Sequence, residues 1–326
     1  AALTLARRLD ASIAVWGADR ARIDRLRGAG AEVVALEDGF VRSIGLGVEH
    51  ERPVSLVAAR HALHFETDRE TDLDRILARG CADPERGCRL LERLRDGALT
   101  KYLDDRTAPR PSPPKSDRTR VLVVGQVNGD ASLRFGGGYP GGNLALIEAA
   151  RRRWPEGFLL YKPHPDVVSG LRPDPDGEAI AAIADAVAPE IPPLDAAAWA
   201  EVVETMTSQL GLEALIHAPK KGGPRVVCHG RPFYAARGLT EDLAPPRGGR
   251  AVAEPPVAEP PAASVDLARF AHAAFIDYPR YVTPGARIPC PPEVALELLD
   301  AARGRPRSAF SRLRKRAMAR LLSLFP

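Results

Sequence analysis

The stretch Arg120–Asp130, with the sequence RVLVVGQVNGD, decides the fold class of this chain. Its first five residues form an apolar, β-branched run between charge and glycine, which is typical of a parallel strand buried on both faces. Glycine and polar residues follow as far as Gly142, and residues 143–154 then have helical spacing. A strand, a glycine-rich loop and a helix in this order predict one unit of a doubly wound α/β sheet.

The same alternation continues on both sides of this stretch. Towards the C-terminus we predict strands at 157–162, 201–205 and 225–228, with helices at 180–188 and after Ser208. Towards the N-terminus we predict strands at 11–16 and 32–36 and helices at 20–27, 72–79 and 88–99. Strand–helix alternation in both halves predicts two α/β domains with parallel sheets.

Proline clusters divide the chain into parts. The 31 prolines are concentrated at 109–114 and 245–261, where they favour extended, solvated chain. We therefore predict an N-terminal domain at 1–107, in which no clear first strand precedes Ala11, and a second domain at 118–243. Between and after them we predict a linker at 108–117, a proline-rich loop at 244–263 and a helical C-terminal segment at 264–326.

The composition limits the possible function classes. The chain has 326 residues, 45% of them hydrophobic, and 46 Lys+Arg against 42 Asp+Glu. A net charge of +4 excludes an acidic solvating chain and gives little support to a nucleic-acid-binding protein, which usually has a concentrated basic face. No apolar run approaches the roughly 18 residues of a membrane span. Four cysteines without CxxC or zinc spacing are expected to be free thiols, and we expect no metal site.

Four polar clusters follow predicted strands, where doubly wound domains bind their ligands. They are Glu37-Asp38-Gly39, Gln126–Ser132, His164-Pro165 and Thr207-Ser208. Each has two interpretations. The acids are candidates for general acid/base or nucleophilic work, and they are equally typical of helix caps and turns. Thr207 and Ser208 form either an anion site at a helix N-terminus or a plain N-cap.

His164 lies between two prolines that fix its backbone. Its imidazole is suited to bind a phosphate or to protonate a leaving oxygen, although a lone histidine is often structural. Lys162 would add a phosphate contact. Glu213 either accepts hydrogen bonds from sugar hydroxyls or simply favours the N-terminal part of a helix.

These clusters occur together in motifs that resemble the KpsC/LipB-type capsule polysaccharide proteins, which are β-Kdo glycosyltransferases. The resemblance extends over most of the chain. In the family's order, the motifs are LEDGFVRSIGLGV (36–48), VLVVGQVNGDASLRFGG (121–137), YKPHPDVVSG (161–170), TMTSQLGLEALI (205–216), GRPFYAARGLT (230–240) and YPRYVTPGARIPCPPEVALELL (278–299).

The resemblance implies an α/β, GT-B-like fold in which two Rossmann-type domains with parallel sheets face a cleft. It also implies a CMP-β-Kdo donor, a Kdo-containing or lipid-linked acceptor, retention of configuration and no metal or other cofactor. Retention fits a double displacement through a covalent glycosyl-enzyme intermediate.

The resemblance further implies a role for each candidate. Asp130 would be the nucleophile, Glu37 the acid/base with Asp38 in support, and His164 the group that binds the phosphate and assists its departure. The remaining donor-binding candidates are Lys162, Pro165, Thr207, Ser208, Glu213, Gln126, Ser132 and Arg134. The acceptor or substrate candidates are Gly39, Arg42 and Tyr234, with Arg42 also a partner for the Kdo carboxylate.

Two features stand apart from the motifs. The family usually reads PFYAGWGLT, and here Ala236 and Arg237 replace the Gly-Trp pair. The basic, amphipathic stretch Ser311–Phe325 either lies on an anionic membrane surface or is an ordinary terminal helix. On the first interpretation we expect a cytoplasmic protein, peripheral on the inner membrane, with capsule assembly and export proteins as partners.

Two other functions remain open at this point. One is an inverting transferase for another CMP-nonulosonate, similar to bacterial sialyltransferases. The other is a non-catalytic module that binds a glycolipid or serves as a scaffold for capsule export.

Overall fold

The computed structural model describes residues 2–44, 52–103, 111–219, 222–244 and 266–303. The whole second proline cluster (245–261) and the whole basic stretch Ser311–Phe325 lie outside these ranges, whereas residues 111–114 of the first cluster lie inside them. The strands are β1 (Ile13–Trp16), β2 (Val33–Asp38), β3 (Ser43–Ile44), β4 (Ser55–Ala59), β5 (Tyr102–Leu103), β6 (Arg120–Val124), β7 (Phe158–Lys162), β8 (Ala186–Val187), β9 (Val202–Thr205), β10 (Arg225–Cys228), β11 (Glu241–Asp242), β12 (Pro279–Val282) and β13 (Pro289–Cys290).

Helices alternate with these strands, and a π-helical turn at Ala273–Asp277 continues the eleventh helix. They are α1 (Ala2–Leu9), α2 (Arg20–Gly28), α3 (Asp72–Ala78), α4 (Pro84–Asp96), α5 (Ala131–Gly136), α6 (Gly142–Arg153), α7 (Pro165–Val168), α8 (Gly177–Ile183), α9 (Pro193–Trp199), α10 (Gln209–His217), α11 (Leu267–His272) and α12 (Pro292–Arg303).

The second half of the chain forms the predicted parallel sheet. Six strands lie in the order β11-β10-β9-β6-β7-β8, and every pair is parallel. The run Val121–Val124 is at most 3% exposed. Its side chains point alternately into two core clusters, one on each face of the sheet. The apolar run therefore forms a central strand because neither of its faces meets water, and the predicted α/β class is confirmed.

The first sheet differs from the prediction of parallel pairing. Its order is β1-β2-β4-β12-β13, and only β1 and β2 pair in parallel. The strands β4, β12 and β13 are antiparallel to their neighbours. Neither β4 nor the last two strands were predicted: β4 ends in two alanines, and β12 and β13 each begin with proline, and both residue types are depleted in strands. The first half is thus an α/β unit with a mixed sheet.

The C-terminal segment contains the predicted helices α11 and α12, together with two strands that complete the first sheet. In β12, Pro279 and Tyr281 are buried whereas Arg280 is exposed, which is the period-two pattern of a half-buried strand. Because β12 pairs with β4, the chain returns to its first half after it has built the second sheet.

Capping side chains set the N-terminal ends of α3 and α4. Thr71 and Asp74 form a reciprocal capping box at the start of α3. The Asp83 side chain caps α4, which has Pro84 at its first position. Both arrangements satisfy backbone N–H groups that have no partner inside the helix. The two helices then present buried leucines to the core shared by both halves.

Aromatic side chains join the two halves. The rings of Phe40 and Phe233 are stacked with 4.4 Å between their centroids, and His64 packs edge-on against both. The Thr67 hydroxyl donates to the Arg231 carbonyl oxygen at 2.6 Å. Since these residues come from opposite ends of the chain, the two sheets share one continuous core.

Two further observations concern the whole chain. All four cysteines are free thiols, as predicted. Within the described ranges, the helices lack the combination of length and apolar content that crossing a membrane requires.

We expect stability to fall at acidic pH because of His64. Burial, with a smaller contribution from the Lys101 charge, lowers the pKa of His64 to about 3, against about 6.5 in an unfolded chain. The unfolded state therefore takes up the proton first, and stability is lost as pH falls from about 6.5 towards 3, at up to about 1.4 kcal/mol per pH unit. The measurement is urea unfolding of wild type and His64→Phe at pH 7.5 and 5.

The exposed His61 provides the control. His61→Gln should keep the wild-type difference between the two pH values, whereas His64→Phe should reduce that difference. An equal loss in wild type and His64→Phe would contradict the assignment, whatever the absolute stability of the variant.

A second expectation concerns Ala236, which has a left-handed backbone with φ of 57°. This conformation strains any residue with a Cβ atom. The substitution Ala236→Gly should raise the free energy of unfolding by about 0.5–1 kcal/mol. This is a net value, because glycine relieves the strain but also increases the conformational entropy of the unfolded state. The neighbouring Ala235→Gly should lower it by a similar amount, since Ala235 is buried. Denaturant unfolding of both variants tests the expectation, and a destabilised Ala236→Gly would contradict it.

Candidate active site

The parallel register brings the predicted clusters of the second half to one edge of the sheet. Val124 at the end of β6 lies opposite Lys162 and Thr205, and Thr205 lies opposite Cys228. The chain therefore leaves four neighbouring strands at the same level. Gln126, His164 and Thr207 all follow within two residues of these positions, at the edge where ligands bind in such sheets.

A continuous set of hydrogen bonds links four of the predicted residues. The Gln126 Oε1 accepts from the Thr207 backbone N–H at 2.8 Å, and its Nε2 donates to the Thr207 Oγ1 at 2.9 Å. The Ser132 Oγ lies 3.0 Å from the Thr207 Oγ1 and 3.2 Å from the Asp130 Oδ2. The loop after β6 and the start of α10 are thus held as one unit that ends at Asp130.

Asn143 is a member of this set that the sequence analysis missed. Its Oδ1 accepts from the Gln126 N–H at 2.9 Å, and its Nδ2 donates to the Gln126 carbonyl oxygen at 2.8 Å. The available signal was a lone amide residue immediately after a glycine run. Because this buried pair fixes the Gln126 backbone, it also fixes the direction of the Gln126 side chain.

Asp130 is a helix cap, and its catalytic role stays a prediction. It is the N-cap of α5, and its Oδ1 accepts from the Ser132 N–H across 3.4 Å, which is long for a cap. The residue itself is exposed. The carboxylate can therefore cap the helix and still be reached by a ligand.

The acids of the first half lie where β2 ends. The Glu37 Oε1 accepts from the Asp38 N–H at 3.0 Å. Burial raises the pKa of Glu37, and the negative charges of Asp38 and Asp130 act in the same direction, against the Asp38 N–H and Lys101. The influence of Asp130 shows that the structure brings carboxyl groups from the two halves into electrostatic contact. A carboxyl group with a raised pKa is suited to exchange protons near neutral pH.

Arg42 and Asp38 form a buried ion pair. The Arg42 guanidinium also donates to the Ser43 Oγ at 3.1 Å. Arg42 was expected to bind the sugar carboxylate or the acceptor. The structure shows this guanidinium holding Asp38, the neighbour of Glu37, and its contact with a substrate stays a prediction.

His164 has a defined protonation pattern. Its Nδ1 accepts from the Asp166 N–H at 3.1 Å, so the neutral ring carries its proton on Nε2. Burial lowers the pKa of His164; the charges of Asp166 and Asp130 oppose this effect, whereas those of Lys101 and Lys162 reinforce it. A neutral imidazole with Nε2–H is a hydrogen-bond donor to an oxygen. Asp166 was not predicted, and its position two residues after His164 was the only signal.

The N-terminus of α10 offers hydroxyl groups rather than free amides. The Thr207 N–H goes to Gln126, the Ser208 N–H to the Thr205 Oγ1 at 3.1 Å, and the Leu210 N–H to the Ser208 Oγ at 3.2 Å. These three N–H groups are bonded within the protein, and the expected anion site stays a prediction. Any anion bound there would contact the Thr207 and Ser208 side chains.

Two of the acceptor candidates have structural roles. A Cβ atom on Gly39 would lie 2.2 Å from the Ser55 Oγ and 2.7 Å from its Cβ, so the glycine permits β4 to approach and leaves no room there for a substrate. The Tyr234 side chain is fully buried, and its hydroxyl donates to the Ser208 carbonyl oxygen. Tyr234 therefore supports the start of α10, and its contact with an acceptor stays a prediction.

Two donor candidates point their polar groups at the protein. Lys162 is buried, and its Nζ donates to the Pro189 carbonyl oxygen at 2.8 Å. Burial lowers its pKa to about 8. The buried Glu213 uses its Oε1 to accept from the Lys101 N–H at 2.9 Å and from the Gln209 Nε2 at 3.0 Å. A direct phosphate contact is therefore not what Lys162 provides, and the ribose contact of Glu213 stays a prediction that would require its second oxygen.

The last two donor candidates lie at the surface of the site. Arg134 is exposed, with its guanidinium 4.7 Å from the centre of the Phe135 ring. Pro165 occupies the first position of the short helix α7, where its fixed φ angle favours the turn. Its role is to aim His164.

The sequence analysis missed Lys101, whose positive charge influences the pKa values of several groups in the site. Its carbonyl oxygen accepts from the Arg42 N–H at 2.9 Å, while its N–H binds Glu213. The Lys101 charge lowers the pKa values of Glu37, His164 and Asp166. Sequence carried no signal for it, because it lies in an irregular segment before the two-residue strand β5.

Among the described residues, no cluster of three or more His, Cys, Asp or Glu side chains could hold a metal ion. That the predicted sugar transfer needs no metal ion stays a prediction.

The chain is similar to known proteins along most of its length. A family model described as "Capsule polysaccharide biosynthesis protein" matches residues 94–281. "Capsule polysaccharide modification protein LipA" of Neisseria meningitidis serogroup B is 35% identical over 303 residues, which cover 89% of this chain and 39% of LipA. "Lipopolysaccharide-processing protein LpsZ" of Rhizobium meliloti is 34% identical over 253 residues, 76% of this chain and 53% of LpsZ. The chain thus spans about two fifths to half of the length of these curated relatives.

Two solved structures from Thermosulfurimonas dismutans share the fold. The KpsC β-Kdo 2,7 transferase superimposes with a TM-score of 0.69 at 31% identity, covering 92% of this chain and 88% of that chain. The KpsC β-Kdo 2,4 transferase superimposes with a TM-score of 0.71 at 27% identity, covering 88% and 86%. The predicted GT-B-like α/β class agrees with both. From its motifs, its fold and these matches, the chain belongs to the capsule polysaccharide biosynthesis protein family, as a KpsC/LipB-type member.

Proposed function

We propose that this chain is a retaining glycosyltransferase that moves β-Kdo from CMP-β-Kdo to a Kdo-containing or lipid-linked acceptor in capsule polysaccharide biosynthesis. The observation that carries the proposal is the placement of Asp130 and His164 at one edge of the second sheet, within electrostatic reach of Glu37 from the first half. The similarity to two Kdo transferase structures supports the choice of sugar. Retaining glycosyl transfer needs two such carboxyl groups, one as nucleophile and one as acid/base.

In the first step of the proposed mechanism, an Asp130 oxygen attacks the anomeric carbon of the donor. A bond forms between this oxygen and the sugar, and the bond from the sugar to the phosphate oxygen breaks. The His164 Nε2–H donates a hydrogen bond to the departing CMP phosphate. The Thr207 and Ser208 hydroxyls supply further donors beside it.

In the second step, the Glu37 carboxylate takes the proton from the acceptor hydroxyl. The acceptor oxygen then attacks the anomeric carbon and releases Asp130 as a carboxylate. Two displacements at one carbon restore the original configuration. The pair of Arg42 and Asp38 holds the backbone beside Glu37 through this step.

The acceptor side is proposed from the family alone. It includes a lipid-linked oligosaccharide, contact with capsule assembly and export proteins, and a peripheral position on the inner membrane through the basic stretch Ser311–Phe325, which lies outside the described residues. Binding of the chain to vesicles with anionic lipids, with and without residues 311–325, tests this part separately from transfer.

Asp130 is the residue whose loss should abolish transfer. Asparagine caps helices as well as aspartate does, so Asp130→Asn should keep α5 and reduce kcat by at least about 1,000-fold, because no nucleophile remains. The measurement is CMP release from CMP-Kdo with a synthetic Kdo-lipid acceptor, with the product linkage read by NMR. Mass spectrometry of the wild type should detect a sugar adduct on Asp130.

Asp83→Asn is the matched control. Asp83 is also a helix N-cap, at the start of α4, but it is not one of the candidate site residues, so this substitution should leave kcat unchanged. Near-wild-type turnover of Asp130→Asn with an inverted product would favour the inverting transferase. Absence of turnover in the wild type with every Kdo acceptor would favour the glycolipid-binding module.

The pH profile should report on Glu37. Because burial raises its pKa, the acid limb of kcat should lie above the usual carboxyl range near pH 4.3. The Lys101 charge lowers the same pKa, so Lys101→Met should move the acid limb to higher pH. Glu37→Gln should remove most activity and leave a residual rate without this limb. An acid limb that stays in place in Lys101→Met would contradict the assignment.

A further inference from the structure

A series of three hydrogen-bonded side chains, with Glu204 and His229 buried and Tyr139 half-buried, lies on the face of the second sheet that packs against α6. The Tyr139 hydroxyl is 2.8 Å from the His229 Nδ1, and the His229 Nε2 is in hydrogen-bond contact with the Glu204 Oε2. Glu204 is completely buried, and His229 is 8% exposed. None of the three belongs to the site described above.

Glu204 is an unusual residue for its position. It lies in β9, where Val123 and Val227 are its neighbours across the sheet. A carboxylate in such an apolar strand costs free energy unless it is fully paired. Its Oε1 accepts from the Trp154 Nε1 at 2.7 Å and lies 3.5 Å from the Arg153 Nε, so its Oε2 is left for His229.

The chemistry of the three side chains determines which group donates in each of the two hydrogen bonds. A carboxylate only accepts, so the His229 Nε2 is the donor to Glu204 and a neutral His229 has its acceptor at Nδ1. Burial raises the pKa of Tyr139, which keeps its hydroxyl protonated. The Tyr139 O–H therefore donates to His229, and the ring is held in one orientation.

Tyr139, at one end of this hydrogen-bonded series, lies in the glycine loop that follows α5. A helix of six residues is not stable by itself, and α5 is fixed at both ends. Its start is tied to Thr207 through Asp130 and Ser132. At its end, the Gly136 carbonyl oxygen accepts from the Arg231 N–H at 2.7 Å.

Close packing explains why the segment after β10 can hold this loop. A Cβ atom on Gly230 would lie 2.7 Å from the Gly137 carbonyl oxygen and 3.0 Å from the Met206 carbonyl oxygen. The residues His229, Gly230 and Arg231 thus form one clamp on the segment 136–139. His229 can place Tyr139 only because Glu204 holds the other side of its ring.

We propose that Tyr139, His229 and Glu204 are a positioning relay that holds α5 and the glycine loop 137–141 against the sheet and thereby sets the position of Asp130. The kinetic consequence rests on the proposed function, whereas the structural consequence does not. The relay contacts no reacting atom, so its effect on transfer is exerted through Asp130.

The test compares Tyr139→Phe with Trp154→Phe. The first removes the hydroxyl from the relay, and the second removes a buried hydrogen bond to the same Glu204 carboxylate while leaving the relay intact. Tyr139→Phe should lower kcat about tenfold and change the donor KM by less than about twofold, because a displaced nucleophile affects the transition state more than binding. Trp154→Phe should stay within about twofold of wild type in both parameters.

Amide hydrogen exchange of the substrate-free protein supplies the second measurement. Tyr139→Phe should increase the exchange of residues 131–141 about tenfold and leave α10 unchanged, whereas Trp154→Phe should not affect residues 131–141. Unchanged exchange in Tyr139→Phe, or an equal loss of kcat in both variants, overturns the relay. A wild type without transfer activity but with the expected exchange result refutes the proposed function and leaves the relay standing.

Discussion

The stacking of Phe40 on Phe233 is the contact on which the arrangement of the site depends. Phe40 follows the acids at the end of β2, and Phe233 belongs to the segment after β10. Aromatic pairs of this kind bury a large apolar area and prefer defined offsets. With His64 and Phe275 packed around Phe40, the first half has one position relative to the second. Glu37 therefore lies within electrostatic reach of Asp130, although about 90 residues lie between them in sequence.

Several carboxyl groups lie near one another where the two halves come together, and a positive charge among them lowers their pKa values. The Asp130 charge acts to raise the pKa values of Glu37, His164 and Asp166. Lys101 lowers the pKa values of Glu37, His164 and Asp166 from a segment that binds both Glu213 and Arg42 through its backbone. With burial as the largest cause in each case, the pKa of Glu37 is raised and that of His164 is lowered, which favours a neutral His164. These directions suit the proposed two-step transfer.

Part of the site was readable from the sequence, because some signals are local. The polar clusters follow apolar runs, and parallel strands place their carboxyl ends together, which predicted the neighbourhood of Gln126, His164 and Thr207. The roles of Gly39, Tyr234 and Lys162 were not readable. Each depends on what lies beside the residue: the Ser55 side chain, the N-terminal turn of α10, and the Pro189 carbonyl oxygen. A motif specifies a residue but not the direction of its side chain.

The sequence by itself determined the central strand at 120–124, the parallel second sheet and the position of four polar clusters along the chain, since hydrophobic runs and turn residues act over a few neighbours. Tertiary structure alone decided the mixed first sheet, the charge of Lys101 within the site and the chain from Tyr139 to Glu204. Strand pairing across 220 residues between β4 and β12, and hydrogen bonds between side chains 25 to 90 residues apart, leave no periodic trace in sequence. These interactions form only in the folded chain, where burial makes an unpaired polar group costly and so favours the pairing.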